Sequence, residues 1–566
     1  MSTEPTTSSR GGSRPRRFWS VAAEVLSALG ALAVTAAVVG AGIIEPVRAA
    51  VDVPPVQVEV PAGALRLVCP GPPRLATEPE PGDDVAYDPQ FDPAPGESTA
   101  VLRAVAAAPT VSGPQDDDLR TEAPGSGDLS PLGLPDQPLA PLGGGDKDAV
   151  ADLTPLQQAV VLRAEPSGDA PAWVAGSVGV TTPSGDLRGL VAASCQQPAP
   201  ETWLVGGSTE IGSSARLVLQ NPGLTAATVQ VQMWGPAGPV ELAGSPEYLV
   251  PAGSERAVLL EGVAVEQRRI VVRVEASGGL VAAYLQDSQL RGLVPAGVDY
   301  VVPGQAPAER QVVTGLSVLA TEAEGADPSS LRLLAPQDAG TARVTFLGPE
   351  GVVPLPGTDA VPLEAGAVLD VPLGGLPPGD YTVVVEAGVP VVAGVLVTRG
   401  EQVGTLAATV GGSALDRAWG PSVHLGASGP LALPPGAQGR LLLGVAADPE
   451  ITGAAPLVLE MLDAEGTVLA RRAVRVPTGT TLSIPFSQLL TAGTASPVPG
   501  GTAAAAPDGT DPDVAVVVVR TDDPRVSWGA VLTARGSDVE GDELISVLVP
   551  VPPASRRPEV DVLLVP

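Results

Sequence analysis

Few side chains of this 566-residue chain are of types that carry out chemistry. The chain has two cysteines, Cys69 and Cys195, one histidine, His424, and one lysine, Lys147. A zinc site needs three or four cysteine, histidine or carboxylate ligands, a serine hydrolase needs a histidine near a G-x-S-x-G turn, and a P-loop needs a lysine after a glycine-rich loop. None of these patterns occurs. The sequence therefore predicts no catalytic residue, no metal site and no cofactor, and His424 is expected to be a strand residue.

Carboxylates remain as possible catalysts, since two acids are sufficient for glycoside hydrolysis. Most of the acids occur in turns or in a Pro-rich acidic segment, where solvated charge is the ordinary explanation. Glu241, Glu275 and Glu386 show no pairing in the sequence. The acidic stretches 508–513 and 537–543 lack the spacing of an EF-hand calcium site. We predict that the protein is not an enzyme.

Tryptophans could bind sugar rings by stacking if several of them shared an exposed face. In a chain with only 3% aromatic residues, core packing is the better expectation for most of them: Trp173, Trp203, Trp234, Trp419 and Trp528. The net charge of −31 argues against nucleic acid as a partner, because the phosphates would be repelled.

The N-terminal region has the features of a membrane anchor. Four arginines in the first seventeen residues precede an uncharged stretch from Val25 to Ile44. As a helix this stretch is about 30 Å long, which matches the hydrocarbon core of a bilayer. We predict a cytoplasmic tail at 1–20 and a transmembrane helix at 21–45, with the positive end inside. A cleaved signal peptide is the alternative. Both a retained anchor and a cleaved signal peptide place the rest of the chain outside the cytoplasm.

The two cysteines each end a segment of alternating apolar residues, VQVEVPAGALRLVC and DLRGLVAASC. Two cysteines in an exported protein most simply form one disulfide, Cys69–Cys195, with two free buried thiols as the alternative. Residues 77–152 between them are acidic and rich in Pro and Gly, which predicts a mostly disordered insertion. The short apolar stretch Thr99–Ala108 is the exception, and it fits either a strand or a helix. The first β domain would then consist of 53–76 plus 153–201.

The rest of the chain contains three similar sets of alternating strands punctuated by Gly and Pro. Their corresponding turns, Gly235–Val240, Gly348–Val353 and Asp463–Val468, recur at roughly the length of one sandwich domain, about a hundred residues. The last strand pair of each set, such as VVRVEASGGLVAAYL, predicts a hairpin. A partial further copy is indicated before the first set, because GLVAASCQQPAPETWLVGG resembles the end of the following domain.

This repetition predicts a mainly β fold: tandem immunoglobulin-like β-sandwich domains after one N-terminal transmembrane helix, with a long disordered acidic linker. The predicted sandwiches are 202–304, 305–401 and 402–556, the last with a flexible insertion at 489–512, and a C-terminal tail follows at 557–566.

The segment Trp203–Val240, with the preceding Cys195 and the N-terminal anchor, resembles an uncharacterised actinobacterial family of membrane-anchored exported proteins, catalogued as domain of unknown function 5719. The resemblance extends over most of the chain beyond the anchor. It implies the topology and the location but no catalytic residue, since the family has no established activity. The single lysine, Lys147, and the single asparagine, Asn221, are typical of a GC-rich coding sequence, as in actinobacteria.

Together these features predict a single-pass protein of the cell membrane, with a cytoplasmic N-terminus and an extracytoplasmic C-terminal region. Its expected role is non-catalytic, either structural or in binding, within the cell envelope. The alternative is a carbohydrate-binding or cell-wall-processing component that uses tryptophans and carboxylates. The expected partners are the membrane, through the N-terminal helix, and a cell-wall glycan or an envelope protein.

Overall fold

The alternation of apolar and polar residues produces β-strands in nearly all of the chain that the structure describes. The structure is a computed structural model, and it describes residues 30, 32–33, 56–59, 63–75, 94, 96–107, 126–143, 148–166, 172–319, 329–400, 414–490, 513–536, 542–551 and 559–562. The chain divides into two units, 1–60 with 557–566, and 61–556. The first strand, β1 (Val56–Glu59), belongs to the first unit.

The second unit begins with eight strands that form two four-stranded antiparallel sheets. The strand orders are β2-β7-β4-β5 and β6-β3-β8-β9, and we call this region module 1. The strands are β2 (Leu65–Cys69), β3 (Thr99–Ala107), β4 (Gly127–Pro131), β5 (Ala140–Leu142), β6 (Ala149–Leu153), β7 (Val160–Ala164), β8 (Trp173–Thr182) and β9 (Gly189–Ser194).

Module 2 repeats this order with one additional strand. Its sheets are β10-β16-β12-β13, with β14 also on β12, and β15-β11-β17-β18. The strands are β10 (Glu201–Val205), β11 (Ser213–Asn221), β12 (Ala227–Gly235), β13 (Gly238–Val240), β14 (Glu247–Val250), β15 (Ser254–Leu259), β16 (Val271–Ser277), β17 (Ala282–Arg291) and β18 (Val294–Val301). A 3-10 turn, Leu260–Gly262, follows β15.

Module 3 has the same arrangement, but one long strand, β25, belongs to both of its sheets. The strands are β19 (Ala308–Val318), β20 (Ser330–Leu334), β21 (Gly340–Gly348), β22 (Gly351–Val353), β23 (Val361–Leu363), β24 (Leu369–Pro372), β25 (Gly379–Gly400) and β26 (Leu415–Pro421). The first part of β25 pairs with β19 and β21, and its last part pairs with β20 and β26.

Module 4 returns to two separate four-stranded sheets, β27-β32-β29-β30 and β31-β28-β33-β34. A 3-10 turn, Phe486–Gln488, follows β31. The strands are β27 (Gly429–Ala432), β28 (Gln438–Val445), β29 (Ala455–Leu462), β30 (Val468–Val476), β31 (Thr481–Pro485), β32 (Val516–Arg520), β33 (Val526–Arg535) and β34 (Glu543–Leu548).

The prediction of a mainly β fold is therefore confirmed, and the repeat has four complete copies instead of three and a part. In each copy the final strand pairs with the strand before it at the edge of its sheet. The first strand pairs with the third strand from the end in modules 1, 2 and 4, and with the first part of β25 in module 3. Alternate residues of the strands are buried between the two sheets, as in β12. In module 2 the buried residues of both sheets form one apolar cluster.

The prediction of a disordered insertion at 77–152 is wrong for the part of it that the structure describes. Strands β3, β4, β5 and most of β6 lie there and supply half of module 1. Every residue of β3 after Thr99 is buried, so this short apolar run gains enough burial to offset its ordering entropy. Most of the Pro, Gly and acidic residues of this segment lie outside these strands in the sequence. Residues 77–93, 95, 108–125 and 144–147 lie outside the described residues.

Two further predictions are corrected. The predicted hairpin VVRVEASGGLVAAYL is wrong, because β16 and β17 pair with different strands in opposite sheets. The chain crosses between the sheets at this point, and in module 3 it does so within the continuous strand β25. The predicted boundary at 401 is also displaced, because β26 pairs with β25 and completes module 3. The alternation of apolar and polar residues predicts where a strand lies, but it does not predict the sheet to which that strand belongs.

The four modules of the second unit form a closed cycle of contacts. Between modules 1 and 2 the Tyr300 hydroxyl donates to the Gly71 carbonyl at 2.5 Å, and between modules 2 and 3 Arg332 donates to the Gly207 carbonyl at 2.6 Å. Between modules 3 and 4 the Thr481 hydroxyl donates to the Leu347 carbonyl at 2.7 Å. Between modules 4 and 1 the Ser177 hydroxyl donates to the Ala432 carbonyl at 2.6 Å, which completes the cycle.

A disulfide joins Cys69, at the end of β2, to Cys195, directly after β9. It connects the two sheets of module 1 across a sequence separation of 126 residues. The backbone beside it is also fixed, since Val68 and Gln196 exchange two hydrogen bonds of 2.8 Å. The end of β9 is therefore held against the opposite sheet.

The ends of the chain form the other unit. There β35 (Glu559–Val562) pairs antiparallel with β1. Of the predicted transmembrane segment 21–45, residues 30, 32 and 33 are described, and they are helical. Among the described residues, no helix has the length and apolar character needed to cross a bilayer. The remainder of that segment, the tail at 1–20 and residues 491–512 of the predicted flexible insertion lie outside the described residues.

Replacing both Cys69 and Cys195 with serine should lower the free energy of unfolding by about 2–4 kcal/mol, because the cross-link no longer restricts the unfolded chain. Urea denaturation of the full chain measures this loss, and wild-type protein reduced with a phosphine is the matched comparison. Alkylation of either cysteine in denatured, unreduced protein would contradict the disulfide.

Candidate functional site

The final strands of the four modules meet in the middle of the second unit, and we call this meeting the central junction. It consists of β9, β18, β26 and β34, and each of these strands contacts the next in the cycle. Each strand is the edge of its own sheet. The apolar side chains of these strands also enter neighbouring cores: Leu190 and Ala192 of β9 pack in the core of module 4, and Trp419 of β26 packs in that of module 2.

Asp299 of β18 connects three modules at the central junction. Its carboxylate accepts a hydrogen bond from the Trp419 backbone N–H at 2.6 Å and one from the Ser546 hydroxyl at 2.9 Å. The Ser546 hydroxyl in turn accepts from the Ala192 N–H at 2.9 Å. Asp299 and Ser546 are both fully buried. One carboxylate therefore satisfies edge-strand donors that belong to other modules.

Asp416 of β26 has the corresponding role on the other side of the junction. Its Oδ2 accepts hydrogen bonds from the Leu190 N–H at 3.1 Å and from the Ile545 N–H at 2.8 Å, which belong to modules 1 and 4. Gly189 permits this approach, since a Cβ at that position would lie 2.7 Å from Asp416 Oδ1. That oxygen is buried and has no hydrogen-bond partner.

Both carboxylates have perturbed acidities. Burial raises the pKa of Asp416 from 3.8 to about 7, although the hydrogen bonds from Ile545 and Leu190 act in the opposite direction. Burial also raises the pKa of Asp299 well above its ordinary value, and the charge on Asp416 adds to this effect. The desolvation of the charged form is the dominant cause at both sites.

A third buried carboxylate lies between modules 2 and 3. Asp287 Oδ2 accepts from Arg417 at 3.0 Å and from the indole N–H of Trp419 at 2.8 Å. Arg332 lies over the ring of Trp419, 4.9 Å from its centroid. Removing Arg417 while Asp287 stays buried would leave a charge without its partner, which typically costs several kcal/mol.

At one end of the central junction lies a cavity of about 800 Å³. Residues from all four modules line it, because the chain leaves each final strand at this end. The residues concerned are Ser194 at the end of β9 with Gln196 and Gln197 after it, 302–305 after β18, 422–428 after β26 and 549–551 after β34, together with Trp173 of β8. We define these residues as the exit cavity. It exists only where the four modules meet.

The five tryptophans considered from the sequence do not share an exposed face in the described residues. Trp203 and Trp234 stack at a centroid distance of 5.2 Å and are buried, as are Trp419 and Trp528. Trp173 alone of the five is half-buried, and it lines the exit cavity. A shared exposed face of tryptophans is therefore absent from the described residues.

The candidate carboxylates are mostly engaged in ion pairs. Glu275 lies 3.2 Å from Arg273, Glu386 lies 3.9 Å from Arg310, and Glu241 is exposed. At the end of the acidic stretch 537–543, Asp542 pairs with Arg188, and Glu543 pairs with Arg399 at 3.3 Å.

Among the described residues, no group of three or more cysteine, histidine and acidic side chains could hold a metal ion.

The expectation that His424 is a strand residue is wrong. His424 lies in the loop between β26 and β27, where the turn at Leu425–Gly426 interrupts the alternation, and it lines the exit cavity. Sequence reasoning also missed Asp299, Asp416 and Gln196. An acid at the second position of VDYVV and LDRAW, each within a final strand of a module, is the sequence signal for Asp299 and Asp416.

The raised pKa of Asp416 predicts how stability depends on pH. Between about pH 4 and 7 the folded state binds a proton that the unfolded state releases, so the free energy of unfolding should fall as the pH rises, by up to about 4 kcal/mol. Asp416→Asn removes this titration and should flatten the slope. Urea midpoints of the full chain at pH 5 and pH 8 measure the effect. The exposed Asp338→Asn is the matched control, and an unchanged slope in Asp416→Asn would contradict the assignment.

Comparison with known proteins places the chain in a family. No curated protein matches it. Among solved structures, a "Biofilm associated protein - BSP domain" aligns with 88% of this chain and 99% of its own, but the TM-score is 0.13 and the identity 9%, which is too low to support any argument. A family model described as a family of unknown function, DUF5719, matches residues 150–487, more than half of the chain, and agrees with the resemblance noted at Trp203–Val240. The chain therefore belongs to this family of unknown function, DUF5719.

Proposed function

We propose that the protein is a membrane-anchored, extracytoplasmic array of immunoglobulin-like β-sandwiches with a non-catalytic structural or binding role in the cell envelope. The observation that carries the proposal is the central junction, in which four modules share buried hydrogen bonds and apolar cores. These connections hold the four modules together as one block. The loops of such a block have fixed positions, so a ligand that binds to them causes little loss of conformational entropy.

Two features support the location. The arginine-rich N-terminus followed by the apolar stretch Val25–Ile44 is the pattern of an anchor with its N-terminus inside. The Cys69–Cys195 disulfide belongs to the kind of bond that forms and persists in oxidising compartments.

A non-catalytic role agrees with the chemistry available at the junction. Asp299 and Asp416 are fully buried, and each accepts hydrogen bonds from other modules. A carboxylate that acts as a general acid or base must reach a substrate atom. These two acids bind the modules together and have no route to a ligand through their hydrogen bonds.

The alternative, a carbohydrate-binding role, is favoured by one specific observation. Trp173 remains half-buried and lines the exit cavity, whereas the other four tryptophans are buried. Of the carboxylates considered for this alternative, Glu275 and Glu386 lie beside arginines, and Glu241 does not line the exit cavity. A glycan would therefore be recognised by amides, hydroxyls and one indole, without acids.

The location can be tested with new cysteines, because both native ones are paired. Leu224→Cys lies at a site that is 83% exposed, and Ser9→Cys lies in the predicted cytoplasmic tail. A membrane-impermeant maleimide should label Leu224→Cys in intact cells and Ser9→Cys only after lysis. Retention of the full chain in the membrane after alkaline extraction distinguishes an anchor from a cleaved signal peptide. Labelling of Leu224→Cys only after lysis would refute the proposed topology.

A further inference from the structure

We propose that the exit cavity is a binding site for an uncharged saccharide. The inference rests on the proposed function, since it names the class of ligand that the exported block would bind. It is carried by the side chain of Gln196, by the absence of charge among the residues that line the cavity, and by three backbone N–H groups there that already have acceptors.

Gln196 is a buried amide without partners. Its side chain lines the cavity and its residue is only 6% exposed, yet neither Nε2 nor Oε1 has a hydrogen-bond partner. Burying an amide without partners is costly, so such a group is normally satisfied by water or by a ligand. The Cys69–Cys195 disulfide and the bridge to Val68 hold Gln196 in this position.

The other polar groups of the cavity are largely used within the protein. The Ser194 hydroxyl donates to the Val549 carbonyl at 2.6 Å, and the Ser428 hydroxyl donates to the Thr521 carbonyl at 2.9 Å. The Gln305 amide donates to the Val423 carbonyl. Gln196 therefore stands out as a buried amide whose donor and acceptor both lack a partner within the described residues.

The cavity favours a ligand without charge. None of its lining residues is an aspartate, glutamate, lysine or arginine. His424 lies at the rim, where partial loss of hydration lowers its pKa and keeps the imidazole neutral at pH 7. A charged ligand would lose hydration here without gaining an opposite charge, which is unfavourable.

A saccharide fits this surface better than an uncharged peptide. An extended peptide binds by adding to a sheet edge and requires free backbone groups. In the cavity the backbone N–H groups of Gln196, Gly304 and Val423 already donate to first strands, at 2.8, 3.0 and 2.8 Å. A sugar needs no backbone ladder, because its hydroxyls pair with side-chain amides and its C–H faces pack on an indole. Trp173 supplies the indole, with Arg520 lying 4.5 Å from its ring centroid.

The volume of about 800 Å³ is in the range of small-molecule sites and accommodates an oligosaccharide. The lining is shared by four modules, so the ligand would contact all of them. Lone sugar units would contact only part of this surface. We therefore expect oligosaccharides to bind more tightly than monosaccharides.

The test uses the full chain in a detergent without a sugar headgroup. Isothermal titration with neutral hexasaccharides of glucose, galactose, mannose, arabinose and N-acetylglucosamine should give one-to-one binding to at least one of them. Hexagalacturonate, which is charged, should not bind. Gln196→Leu and Trp173→Ala should each weaken the binding at least about tenfold. The exposed Gln137→Leu, in module 1, is the matched control and should bind as wild type.

Stability provides a second measurement. Because Gln196 has no partner in the fold, Gln196→Leu should leave the urea midpoint unchanged or raise it. A lower midpoint would show that the amide is satisfied within the protein, and it would overturn the proposal. The proposal would also fail if no neutral saccharide bound wild type, or if an uncharged peptide bound instead. Neither result would alter the labelling of Leu224→Cys in intact cells, so the location is tested separately.

Discussion

The unpaired edge of each final strand is the constraint on which the rest of the structure depends. An edge strand presents N–H groups that must find partners, and an exposed edge invites aggregation. Here the four edges face one another, and two carboxylates accept hydrogen bonds from edge N–H groups that have no partner within their own sheet. Asp416 takes those of Leu190 and Ile545, and Asp299 takes that of Trp419. Burying the edges at the centre removes them from solvent.

This solution links the stability of the modules to one another. A carboxylate that stays buried is costly unless its oxygens accept hydrogen bonds, so Asp299 and Asp416 fit an arrangement that brings the donors of neighbouring modules to them. The apolar residues act in the same direction, since Leu190 and Trp419 complete cores that belong to other modules. A module removed from the block would leave gaps in a neighbour and expose its own final strand. The repeat therefore differs from a string of independent domains.

The sequence predicts the strands and the repeat because alternation and turn residues act locally. Its failures lie where the outcome depends on distant partners. Strand β3 is hard to predict because the sequence around it is acidic and rich in Pro, although its own residues are almost all apolar and buried. Strand β26 was assigned to the following domain, because nothing local shows that it pairs with β25. Asp416 looks like a solvated acid in LDRAW, and only the meeting of four edges buries it.

The exit cavity illustrates how a site can arise from assembly instead of from a motif. No module contains it alone, and its buried amide without partners, Gln196, follows a cysteine whose disulfide partner lies in another sheet. A ligand that touches four modules binds the assembled block and not the separated modules. By linkage, such a ligand stabilises the assembled state in proportion to the logarithm of its concentration relative to its Kd. Ligand binding and the association of the modules then depend on the same contacts at the central junction. A ligand in the cavity would stabilise the contacts that form its own site.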